Sequence, residues 1–99
     1  MSDQATDEIT SLIVRIQGFV QGVGFRDFLT MAAQRARLDG WVRNRADGSV
    51  EALVSGTTKS VESFVAAATQ GPRGARVTAV DLINSTPPPE KGFRQQPTL

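Results

Sequence analysis

At 99 residues the chain has room for one domain and one hydrophobic core, and its net charge of +1 does not suggest a nucleic-acid domain. It contains no cysteine, which removes disulfides, thiolate zinc sites, iron–sulfur clusters and cysteine nucleophiles together. It contains no histidine either, so no imidazole base, phosphohistidine intermediate or histidine metal ligand is available. The charges are unevenly spread. Residues 1–11 carry Asp3, Asp7 and Glu8 and no basic residue, whereas residues 12–46 carry six arginines against Asp27 and Asp39. Such a positive region either attracts a small anion or is an ordinary solvated surface. The N-terminus lacks the apolar core of a signal peptide, and no apolar run approaches the roughly 20 residues of a membrane span. The expected location is the cytoplasm, with no membrane partner.

Met1 to Ser11 is polar and is expected to be a disordered tail, leaving residues 12–96 as the folded domain. Leu12 to Gly18 alternates, with Leu12, Val14 and Ile16 on one face and Ile13, Arg15 and Gln17 on the other, which predicts a strand buried on one side. From Val23 the period becomes helical, through Phe25, Phe28, Leu29, Ala32 and Ala36, and Gly40 is expected to stop this helix. Trp41 to Arg45 and Ser49 to Ser55 flank Ala46-Asp47-Gly48, a hairpin signal. A second amphipathic helix carries Val61, Phe64, Val65 and Ala68, with Thr57 or Thr58 as N-cap, and Gly71-Pro72-Arg73-Gly74 breaks it. Arg76 to Ile83 is a β-branched run, Thr86 to Pro89 an extended linker, and Gly92 to Gln95 a short edge strand. Phe28, Trp41 and Phe64 are assigned to core packing. The order β-α-β-β-α-β, with one-faced strands, predicts an α+β ferredoxin-like sandwich: an antiparallel sheet with both helices on one face.

Two segments carry chemistry. In Gly18-Phe19-Val20-Gln21-Gly22-Val23-Gly24-Phe25-Arg26, the glycines either make a tight strand-to-helix turn or let successive N–H groups converge on an anion at the helix start. Arg26 adds a planar fork that matches two phosphate oxygens. The spacing is neither that of a Walker A loop nor that of a dinucleotide fingerprint. In Gly40-Trp41-Val42-Arg43-Asn44, alternation puts Asn44 on the face of Val42, toward the helices, where it either caps a turn or faces the anion loop.

Residues 18–26 resemble the signature of the acylphosphatase family. Gly40 to Asn44 followed by Asp47 to Glu51 resembles its second signature, and Gly71-Pro72 with Gly74 to Val77 its lead-in to the fourth strand. The similarity runs from about Leu12 to Leu82 and implies the same ferredoxin-like fold. It also implies that Arg26 binds phosphate, that Asn44 orients the attacking water, and that the backbone amides of Gln21, Gly22, Val23, Gly24 and Phe25 complete the cradle. The implied reaction is hydrolysis of an acyl phosphate to a carboxylate and inorganic phosphate, with no cofactor and no metal. Such chemistry suits a chain without histidine or cysteine, because a carboxylate is already a good leaving group.

The same topology also serves non-catalytic anion-binding modules and RNA-binding domains. For RNA the open sheet face offers only Trp41 as a stacking platform, so no nucleic-acid partner is expected, and the protein is expected to be a monomer acting on a small molecule. Arg94-Gln95-Gln96-Pro97 replaces the family's apolar final strand, which predicts a short one. Asp27 is expected to complement the helix dipole; pairing with Arg26 instead would compete with phosphate.

Overall fold

The computed structural model describes residues 8–99. The elements run β1 (Ile9–Phe19), α1 (Phe25–Arg35), β2 (Asp39–Asn44), β3 (Val50–Thr57), α2 (Thr58–Gln70), β4 (Arg76–Asn84) and β5 (Phe93–Gln95). They build a five-stranded sheet in the order β4-β1-β3-β2-β5. The first four strands pair antiparallel, as the α+β ferredoxin-like sandwich requires. β5 adds to the edge of β2 in the parallel sense, so the complete sheet is mixed.

The one-sided strand pattern explains where the core sits. Val14 and Ile16 of β1, Val42 of β2, and Val50, Ala52 and Val54 of β3 are buried on the helix side of the sheet. Phe25, Leu29 and Ala33 of α1 meet them there, as do Val61, Phe64 and Ala68 of α2. Burying a large apolar side chain contributes about 1.5–3 kcal/mol, and here that surface is supplied by one face of each element. Thr57 caps α2: its Oγ1 accepts from Ser60 N at 3.2 Å, the role expected of a threonine at that boundary.

Three further sequence readings change. β1 begins at Ile9 rather than Leu12, because Ile9, Thr10 and Ser11 pair with Thr57, Gly56 and Ser55; the part of the expected tail in residues 1–7 lies outside the described residues. Gly40 does not end α1. The helix stops at Arg35, Arg37 takes the positive φ of 59° that follows it, and Gly40 lies inside β2, paired with Val54. Trp41 is not in the core between sheet and helices but on the helix-free face of the sheet, where Arg43 stacks 4.4 Å from its ring. The short last strand spans Phe93–Gln95, and pairing continues past it, with Gln96 N donating to Val42 O and Leu99 N to Asn44 O.

The helix-free face carries a row of charges across the sheet. Register places Asp81, Arg15, Glu51 and Arg43 side by side on β4, β1, β3 and β2. Glu51, only 6% exposed, accepts from Arg15 at 3.3 Å, Arg43 at 3.0 Å and Arg45 at 3.1 Å. Among the described residues no helix is long and apolar enough to cross a membrane.

Burial pushes the Glu51 carboxyl up, and the hydrogen bonds from Arg43, Arg45 and Arg15 more than offset this, so it titrates below its ordinary value. Its stabilising contribution is therefore present in full above the unfolded value, about 4.3, and is lost as pH falls through the lower folded value. Glu51→Gln is expected to cost about 1–3 kcal/mol at pH 7. Urea unfolding at a series of pH values should show the gap to wild type narrowing below about pH 4. A gap independent of pH would mean that the carboxylate charge is not what stabilises this face.

Candidate active site

Between Phe19, the last residue of β1, and Phe25, the first of α1, the chain reverses through a run of bends. Gly22 and Gly24 hold φ of 76° and 79°, a conformation that costs an L-residue free energy. A β-carbon at either position would meet no protein atom within 4 Å, so the demand for glycine is conformational rather than steric. Gly24 is the N-cap of α1 and brings no side-chain oxygen to the helix start. The first α1 amide bonded to the preceding turn is Phe28 N, to Gly24 O at 3.0 Å. The amides of Phe25, Arg26 and Asp27 are thus left without acceptors in the helix, at the positive end of its dipole.

A cavity of about 90 Å³ opens at this end, lined by Val20, Gly22, Gly24, Phe25, Arg26, Asp27 and Asn44. Five of the seven sequence-predicted site residues therefore line one space. The other two do not contribute side chains to it. Val23 packs against the core, and the Gln21 carboxamide donates to Arg45 O at 2.8 Å and Ser49 O at 2.9 Å. The volume is far below the roughly 300 Å³ at which drug-sized ligand pockets begin, so it suits a small ionic group rather than a nucleotide.

Arg26 forms no ion pair and no side-chain hydrogen bond among the described residues, in contrast to Arg15, Arg43 and Arg45, which converge on Glu51. Asp27 does not neutralise it. The Asp27 carboxylate accepts from Gln95 Nε2 at 2.7 Å, which ties the start of α1 to β5. Asn44 had two readings, turn cap or cavity residue. The hairpin turn is capped by Asp47, whose Oδ1 accepts from Ser49 N at 2.9 Å and Ser49 Oγ at 2.6 Å, and these bonds hold its carboxyl below the usual range. The Asn44 carboxamide has no hydrogen-bond partner among the described residues and lines the cavity.

The profile of one protein family, acylphosphatase, matches residues 12–95. The chain belongs to the acylphosphatase family. It is 47% identical over 90 residues to an acylphosphatase of Azoarcus sp. (strain BH72), covering 91% of this chain and 92% of the relative. It is 48% identical over 83 residues to that of Acidiphilium cryptum (strain JF-5), covering 84% and 91%. The crystal structure of acylphosphatase from Bacillus subtilis superposes with a TM-score of 0.85 at 36% identity, covering 90% of this chain and 99% of that one. Membership makes the protein an enzyme, and the cavity where both signature segments meet is its candidate active site.

Several contacts that support the cavity leave no mark in the sequence. Gln21 to Arg45 and Ser49, and Gln95 to Asp27, join residues far apart along the chain, and neither periodicity nor composition marks them as partners. In the sequence Gly71 reads as a helix breaker and as part of the lead-in to the fourth strand, with no sign of what it packs against. A β-carbon there would stand 3.1 Å and 3.2 Å from the ring of Phe25, the residue that starts α1, and its φ of 72° is itself one L-residues avoid. Gly71→Ala is expected to lower stability by about 1–3 kcal/mol, measured by urea unfolding. A variant as stable as wild type would show that Phe25 can move aside freely.

Proposed function

We propose that the protein hydrolyses the carboxyl–phosphate bond of acyl phosphates by in-line attack of water, without a metal ion. The observation that carries this reading is that a guanidinium and a carboxamide, both without partners among the described residues, share one small cavity with the free amides of a helix start. Arg26 and the amides of residues 21–25 hold the phosphate oxygens. Charge-assisted hydrogen bonds of this kind contribute about 1.5–3 kcal/mol each, so several of them hold a dianion without a metal.

Asn44 binds the nucleophilic water, its carboxamide oxygen accepting a hydrogen bond from one water O–H, which stays on the attacking oxygen, and so aiming an oxygen lone pair at phosphorus. As water adds, the bond from phosphorus to the acyl oxygen breaks and the electron pair leaves with the carboxylate. The second water proton passes to a phosphate oxygen, giving inorganic phosphate. A carboxylate leaves without protonation because the pKa of its acid is about 4. The transition state is therefore stabilised chiefly by position and charge, which the loop and Arg26 supply before the reaction begins.

Purified protein is expected to turn over an aryl acyl phosphate at an unchanged rate in the presence of a chelator. Arg26→Ala, which deletes a transition-state donor, and Asn44→Ala, which deletes the acceptor that aims the water, are each expected to lower kcat by about 10²-fold or more. Activity that disappears with chelator, or survives Arg26→Ala, would overturn the mechanism. Tight phosphate binding with no turnover would instead mark a non-catalytic anion-binding module.

A further inference from the structure

The two halves of the cavity come from strands that are not neighbours. Gly22 to Arg26 follow β1, Asn44 ends β2, and β3 lies between those strands in the sheet. No β1–β2 ladder therefore fixes their separation, which spans two strand spacings of about 4.8 Å each. One side chain crosses this gap directly. Gln21 Nε2 donates to Arg45 O at 2.8 Å and to Ser49 O at 2.9 Å, so each N–H of the amide has its own acceptor.

Both acceptors belong to the β2–β3 hairpin, one residue beyond Asn44 and one residue before β3. They are rigidly placed, because Arg45 N donates to Ser49 O at 2.9 Å and Gly48 N to Arg45 O at 3.1 Å. The side chain does not line the cavity that its neighbours line, and its hydrogen bonds among the described residues go to the hairpin.

We propose that the Gln21 side chain is a positioning residue, a brace that sets the distance from the phosphate cradle to Asn44 and hence from phosphorus to the attacking water. The proposal rests on the hydrolytic reading of the site. With the brace removed, Arg26 and the cradle amides still bind phosphate, while water held by Asn44 is no longer aligned. A displacement near 1 Å is enough to lower a rate by about 10²-fold.

Gln21→Met keeps the length of the side chain and removes both donors; Gln21→Glu keeps its shape and sets a carboxylate against two carbonyl oxygens. In both, kcat for an aryl acyl phosphate is expected to fall about 10- to 100-fold. KM and competitive inhibition by inorganic phosphate should change by less than about 3-fold, since the anion-binding groups remain. A double-mutant cycle provides the decisive readout. If Gln21 acts through Asn44, Gln21→Met should cost less than about 2-fold in an Asn44→Ala background.

Equal losses in the two backgrounds, a wild-type kcat in both single variants, or phosphate inhibition weakened in step with kcat would each overturn the proposal. Urea unfolding of each variant confirms that folded protein is compared. If one variant does not fold, the other carries the same cycle; loss of folding in both would show Gln21 to be a structural residue and would also overturn it. Failure of the hydrolytic reading is seen separately, as absence of turnover in wild type or an undiminished rate in Asn44→Ala.

Discussion

The cavity depends on one geometric constraint: its two halves arrive on β1 and β2, and β3 separates those strands. An antiparallel sheet fixes neighbouring strands through their ladders, and second neighbours only through whatever lies between. β3 meets this condition by pairing with β1 from Ile16 opposite Val50 and with β2 from Asn44 opposite Val50, so both halves are registered against the same residue. That shared register brings a glycine-rich turn and a strand-end asparagine to the same edge of the sandwich. The helix start adds free amides and a positive dipole end there without any further element.

The two faces of the sheet divide the chemistry. On the helix side, alternation buries Val14, Ile16, Val42, Val50, Ala52 and Val54 and carries Asn44 toward the cavity. On the other side, the same alternation gathers Arg15, Arg43 and Arg45 around Glu51. Three of the six arginines in residues 12–46 are thereby placed away from the cavity. Arg26 differs from the three because it sits on the first turn of α1 rather than beside Glu51 on the helix-free face, and its one acidic neighbour in sequence, Asp27, is engaged by Gln95. Whether a guanidinium is left free at the cavity is thus set by which partners each arginine lacks among the described residues.

The C-terminal segment also bears on the site. β4 and β5 lie on opposite edges of the sheet, so residues 85–92 must span four strand spacings, roughly 19 Å at about 4.8 Å each. Eight residues in an extended, proline-rich conformation reach roughly 25 Å, which is enough. Pro87, Pro88 and Pro89 border a groove with Ile9 of β1, Gly56 of β3 and Asp39 of β2, along the sheet end away from the cavity. Beyond them β5 reaches β2 and delivers Gln95 to Asp27.

The residues alone offer the glycine-rich loop and Arg26 as an anion site or a tight turn, and Asn44 as a cavity residue or a turn cap; the resemblance to the acylphosphatase family favours the anion site and the cavity residue. A turn needs glycine, a helix start carries free amides, and strand alternation assigns a face. The order of strands and helices followed from the same periodicities, which act over a few residues. Other features escaped that reading because they depend on pairs far apart in the chain: Gln21 against the hairpin, Gln95 against Asp27, Gly71 beneath Phe25, and Glu51 among three arginines. Trp41 reads as a core residue by its spacing, yet its position in β2 turns it to the face where Arg43 covers it. Gly40 had been read as a helix stop, while the positive φ after the helix fell to Arg37 and the glycine was needed inside β2. Local chemistry was thus enough to offer the candidate groups; only the tertiary fold decided which of them are left unpaired among the described residues, because pairing depends on where distant segments of the chain meet.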